Sequence, residues 1–111
     1  MSRDFTYIDD IVAGVLAATD QPPSSAELEV PHRLYNLGNH KSENLLHFIE
    51  VLERACGREA IKEMKELQPG DVESTYADIG ESRRDLGFEP HTSIEEGLPR
   101  FVAWYREYHG V

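Results

Sequence analysis

The sequence predicts an α+β chain, short strands in a small mixed sheet with about four helices, and three observations predict it. Two long segments, 42–57 and 93–109, repeat their apolar residues at helical spacing between recognisable start and stop residues. Two short ones, 3–8 and 33–39, carry the alternation or apolar content of strands. Pro and Gly separate these units, with Pro69-Gly70, Gly57 and Gly87 as turn or stop signals.

Taken in order, Phe5 and Tyr7 alternate with Thr6 and Ile8 as a half-buried strand would, and Ile11, Val12, Val15 and Leu16 then form a helical series. Asp9 or Asp10 is placed to cap that helix, since a carboxylate accepts its orphan N–H groups and favours its positive end. Residues 19–31 contain Gln21-Pro22-Pro23-Ser24-Ser25 and read as a surface connector. A short strand over 33–39 follows, with Leu34, Tyr35 and Leu37, stopped by Gly38-Asn39.

Ser42 is the expected N-cap of the next helix, whose Leu45, Phe48, Ile49, Leu52 and Cys56 keep the helical repeat up to Gly57. Residues 60–67 fit either a helix, through Ile61, Met64 and Leu67, or a strand. Residues 73–77 read as a short strand, and Asp78 as the cap of a brief helix, 79–86, that Gly87 ends with Phe88 sealing it. Ser93 and Glu96 form a capping box for the last helix. Its expected packing stripe is Ile94, Leu98, Phe101, Tyr105 and Tyr108 with Trp104 beside it, and Pro99 costs it one backbone bond.

Size and charge narrow the function. The 111 residues make one modest core, and a net charge of −10 with pI near 4.8 argues against binding a nucleic-acid backbone. No apolar run approaches a bilayer span and no signal peptide opens the chain, so a soluble, cytoplasmic protein is expected. Cys56, the sole cysteine, is expected as a small core residue. The histidines His32, His40, His47, His91 and His109 fall in different segments without ligand spacing, so no metal is expected.

Arg3 reads in two ways from the residues alone: a surface ion pair with Asp4, Asp9 or a helix end, or a bidentate grip on a carboxylate or phosphate. Residues 68–71 likewise read as a tight turn whose Asp71 serves its own backbone. Several blocks in order favour a specific alternative: Arg3-Asp4-Phe5-Thr6-Tyr7-Ile8-Asp9-Asp10, Tyr35-Asn36-Leu37-Gly38-Asn39, Gln68-Pro69-Gly70-Asp71-Val72 with Thr75-Tyr76-Ala77-Asp78, Leu86-Gly87-Phe88, and Thr92-Ser93-Ile94-Glu95-Glu96-Gly97-Leu98 to Tyr105. Together they cover nearly the whole chain. They resemble the C-terminal, substrate-binding lobe of extended short-chain dehydrogenase/reductases acting on nucleotide sugars, most of all the UDP-glucuronate epimerases.

The resemblance implies an NAD-dependent parent enzyme that oxidises the sugar at C4, turns the 4-keto intermediate over and returns the hydride to the other face. It implies that Arg3 contacts the nucleotide diphosphate and Asp71 the nucleoside sugar, with Gln68 standing where many UDP-galactose-type epimerases have Arg; the Gln form suits the UDP-glucuronate branch. The catalytic Tyr-x-x-x-Lys and the Gly-rich NAD turn of such enzymes are absent, since Tyr7, Tyr35, Tyr76 and Tyr105 are followed four residues on by Ile11, Asn39, Gly80 and His109. Residues 1–111 are therefore expected to be the C-terminal nucleotide-sugar-binding portion of a longer enzyme, lacking most of its Rossmann domain, with Met1 internal to that enzyme. The portion alone is expected to bind no NAD and to be catalytically incompetent. Its expected partners are a UDP-sugar and the N-terminal Rossmann part, with pairing to a second copy left open. Another UDP-sugar epimerase or dehydratase, or a non-catalytic, self-associating acidic module, are the alternatives.

Overall fold

A computed structural model describes residues 1–24 and 30–111. Its elements run β1 (Ser2–Asp4), α1 (Ile8–Asp20), β2 (Ser42–Asn44), α2 (Leu45–Cys56), α3 (Gly80–Leu86) and α4 (Ile94–His109). β1 and β2 pair antiparallel with Arg3 opposite Glu43, and a parallel bridge joins Ser2 to Ser74 on the other side. Among the described residues the fold is α+β with four helices, as the sequence predicts. Part of the connector expected over residues 19–31 lies outside the described residues.

The strands are shorter or fewer than expected. β1 stops at Asp4 because Phe5 turns aside to stack on Phe48, with ring centroids 4.0 Å apart, and the helix has begun by Ile8. Residues 33–39 form no strand; side chains serve their backbone instead, Asn39 N–H donating to Asp4 at 2.9 Å and the Asn36 carbonyl accepting from Ser82. Residues 60–67 also form none, and Ile61 and Met64 stand exposed with no surface to bury against. Of 73–77 only the bridge at Ser74 remains.

Three caps also move. Ser42 lies in β2, and Asn44 caps α2 by accepting from Leu46 N–H at 2.9 Å. α1 has Tyr7 at its N-cap, which leaves Asp9 and Asp10 in its first turn and frees Asp10 for another role. Asp78 accepts from Gly80 N–H at 3.0 Å, so its helix begins one residue later than expected. Ser93 caps α4 through Glu96 N–H as expected, and Gly57 and Gly87 end α2 and α3 at φ 71° and 65°, where any Cβ would be strained.

Two apolar clusters hold the chain. In one, Val51, Ile94 and Leu98 pack α2 on α4 with Phe5, Phe48 and Leu52 around them. In the other, Ile79, Leu86 and Phe88 pack beneath α1 with Leu37. Gly14 admits that approach, since a Cβ there would meet the Leu37 side chain at 2.8 Å. The buried side of α4 is Ile94, Leu98 and Val102; Phe101, Trp104, Tyr105 and Tyr108 of the expected stripe are exposed and stack on one another. The reason is geometric, because residues 94, 98 and 102 share the face that α2 covers.

Much apolar surface stays uncovered. Ile8, Val12, Val15 and Leu16 expose one side of α1. The chain shows 8380 Å² to solvent, against about 6,200 Å² for a compact monomer of its mass. Its radius of gyration is 17.5 Å, against about 13 Å for a compact chain of this length.

Candidate functional site

Arg3, in the middle of β1, and Asp71, 68 positions later, meet at the edge of the sheet, Nη2 lying 3.0 Å from Oδ1. Their side chains are 23% and 39% exposed, so solvent reaches the pair. The Arg3 Nη1 donates to the Ser2 carbonyl at 2.9 Å. These two bonds use two of the five guanidinium N–H donors, and a planar fork with donors to spare suits an oxyanion.

Asp71 arrives there on a tight turn. Pro69 suits its second position, Gly70 has φ 85° at its third, and Asp71 N–H closes it on the Gln68 carbonyl at 3.1 Å. Asp71 Oδ1 also accepts from Val72 N–H at 2.9 Å, so part of the turn reading holds beside the pairing with Arg3. Gln68 sits exposed at the start of the turn.

The chain after the turn is bound to β1. Ser2 N–H donates to the Glu73 carbonyl at 2.9 Å and Thr75 N–H to the Ser2 carbonyl at 3.1 Å. Asp4 points to the opposite side of β1 from Arg3, as strand alternation requires, and its two oxygens accept from Asn39 N–H and Ala77 N–H, each at 2.9 Å. His40, at φ 53°, brings Nδ1 to 2.9 Å from the Ala77 carbonyl and its ring against Tyr76. Reading the sequence did not single out Asp4 or His40. Alternation along β1 could have placed Asp4 away from Arg3, but the backbone N–H donors it accepts from lie 35 and 73 positions away.

The perturbed groups lie elsewhere and explain themselves as ion pairs, hydrogen bonds and partial burial. A hydrogen bond to Glu95, 2.9 Å away, raises the His47 pKa, and the same bond lowers that of Glu95. Partial burial and a hydrogen bond to Asp85 raise the Tyr35 phenol, which keeps its proton and is no base. A groove of about 340 Å³ between Phe5, Phe48, Ile94, Leu98 and Phe101 is apolar and offers a nucleotide few partners. Among the described residues no cluster of His, Cys, Asp and Glu could hold a metal ion, and no helix is long and apolar enough to cross a membrane. The residues present do not fit NAD: β1 leads to α1 through Phe5, Thr6 and Tyr7 without a glycine, and Asp9 and Asp10 put negative charge where a pyrophosphate would need a free helix N-terminus.

No protein-family model matches the chain. Curated relatives do. It is 39% identical over 120 residues to Protein CapI of Staphylococcus aureus, covering 98% of this chain and 36% of that protein. It is 39% identical over 117 residues to a probable UDP-glucuronate 4-epimerase of Rhizobium meliloti, covering 95% and 34%. Among solved structures, the UDP-glucuronic acid 4-epimerase of Bacillus cereus, in complex with UDP-glucuronic acid and NAD, superposes with TM-score 0.80 at 29% identity, over 96% of this chain and 32% of that one. The chain spans about a third of the length of the curated relatives it matches. It is the C-terminal part of an extended short-chain dehydrogenase/reductase of the nucleotide-sugar epimerase family.

Proposed function

We propose that residues 1–111 form one lobe of a cytoplasmic UDP-sugar 4-epimerase, of the type that interconverts UDP-glucuronate and its C4 epimer, and that this lobe holds the nucleotide end of the substrate. The observation that carries the reading is the meeting of Arg3 and Asp71 at 3.0 Å on an accessible edge. Arg3 would direct its uncommitted donors at the diphosphate, Asp71 would accept from nucleoside hydroxyls while orienting the guanidinium, and Gln68 would border the site as a neutral donor. A neutral Gln68 fits a site already carrying the acidic charge of Asp71 and a single cation in Arg3.

Hydride chemistry at C4 would belong to the nicotinamide cofactor and the N-terminal half, because none of the tyrosines of residues 1–111 has a Lys four positions on. That half would cover the apolar side of α1. The uncovered area exceeds that of a compact monomer by about 2,200 Å², the scale of one side of an obligate interface. The lobe alone would not turn over.

Assays of the complete protein with NAD, offering UDP-glucuronate, UDP-glucose and UDP-galactose in turn, test the reading, with epimerisation of UDP-glucuronate expected to be fastest. Arg3→Ala removes charge-assisted hydrogen bonds worth about 1.5–3 kcal/mol, so KM should rise about ten- to a hundredfold. No epimerisation of any UDP-sugar, or an unchanged KM in Arg3→Ala, would overturn it.

A further inference from the structure

We infer that Asp4 is the positioning residue of the nucleotide site, the group that sets Asp71 against Arg3 without touching substrate itself. The inference rests on the site reading above. Arg3 is held by β1, but among the described residues the segment carrying Asp71 belongs to no ladder, and a single bridge at Ser74, with its two backbone bonds to Ser2, joins it to β1. A bridge of one residue leaves such a segment free to slide or twist. Asp4 removes that freedom. Its Oδ2 accepts from Ala77 N–H and its Oδ1 from Asn39 N–H, both at 2.9 Å, so one carboxylate next to Arg3 pins both neighbouring segments at once. Charge-assisted bonds of this kind are short and directional.

The pins converge. His40, in a left-handed conformation that costs a non-glycine residue strain, delivers Nδ1 to the Ala77 carbonyl, so Ala77 is held at both its N–H and its C=O. Ser42 on β2 adds a bond from Oγ to the Thr75 carbonyl at 3.1 Å. The segments also touch directly, because a Cβ added at Gly38 would collide with that of Ala77 and come within 3.2 Å of Asp4 Oδ2. The segment that begins at Asp71 is thus anchored at its far end, Ala77, by Asp4, on the side of β1 away from the Arg3 guanidinium, with Ser42 and Ser2 holding it at Thr75 and Glu73.

Steady-state kinetics of the complete enzyme on its UDP-sugar test this. Asp4→Asn turns an NH₂ group toward one of the two amides. It should raise KM at least about tenfold with kcat within about twofold, since a displaced Asp71 weakens binding but leaves the reacting half in place. Gly38→Ala, which wedges the same segments apart and leaves the carboxylate intact, should give the same split. Asp4→Asn should add less than about twofold to the KM of Asp71→Asn, because a residue acting only through Asp71 has nothing left to position. The control is Asp10→Ala, which removes a buried carboxylate from the α1–α4 junction and should lower the unfolding midpoint with KM unchanged. If Arg3→Ala raises KM while Asp4→Asn lowers only the midpoint, as the control does, Asp4 is structural and the inference falls. If Arg3→Ala itself leaves KM unchanged, the site reading falls and takes the inference with it.

Discussion

Asp10 is 2% exposed, yet its carboxylate is fully engaged: Oδ2 accepts from Thr92 N–H at 3.0 Å and His91 N–H at 3.3 Å, and His91 Nδ1 lies 3.2 Å from Oδ1. Asp10→Ala leaves amide donors in the interior without an acceptor, and the expected loss is about 2–3 kcal/mol, read from urea unfolding of the complete protein. His47 makes a milder, pH-dependent tie to Glu95 at the start of α4. Its pKa is raised in the folded state, chiefly by the Glu95 hydrogen bond, so the stabilisation is fully present below the unfolded histidine value of about 6.5 and is lost as pH rises through the folded one. The Glu95 pKa is lowered, so its share is present above the ordinary carboxylate range and lost as pH falls below that range through the lowered folded value. The unfolding midpoint should therefore decline on the alkaline side of pH 6.5, and His47→Gln should remove that step. Both groups are solvent-exposed, so added salt should shrink it.

α4 shows what an element owes to its own sequence. Ser93 accepts from Glu96 N–H at 3.3 Å at its start, Gly110 closes it at φ 65°, and Ile94, Leu98 and Val102 recur every four residues on the face that meets α2. Ser93→Ala should cost about 1 kcal/mol in thermal or urea unfolding. α2 and α4 were legible because periodicity and stop signals are local, although the cap of α2 fell at Asn44 and not at Ser42. Their burial was less so: Phe101, Tyr105 and Tyr108 keep the same period as the buried residues, and only the position of α2 decides which stripe is covered. Strands were harder still. Residues 33–39 have a strand's composition, but a ladder needs a neighbour, and among the described residues side chains such as Asp4 answer that segment instead. Arg3 and Asp71 could be brought together only through a family resemblance, since nothing in residue chemistry joins positions 68 apart. Asp4 was legible only as a possible ion-pair partner of Arg3; its actual partners are backbone amides, which carry no residue signature.

As a whole the molecule is an incompletely covered body, with 8380 Å² exposed and extents of 55 × 36 × 21 Å. Ile8, Val12, Val15 and Leu16 form a continuous apolar side on α1, and isolated copies of such a chain should associate through it. Sedimentation of the chain by itself should show concentration-dependent oligomers, and Val15→Lys with Leu16→Lys should return it to monomer. On the proposal that an N-terminal half covers this side, the same double change should lower the stability and the activity of the complete protein. One further property of the body follows from its two apolar clusters, which stay distinct: α2 packs on α4, α1 on α3 and Leu37, and β1 with Asp10 spans the gap. The strand bearing Arg3 is the seam between them: Phe5 just past its end packs against the first cluster and Asp4 accepts from Ala77, which packs against the second, so each cluster is tied to the chain within two residues of the guanidinium.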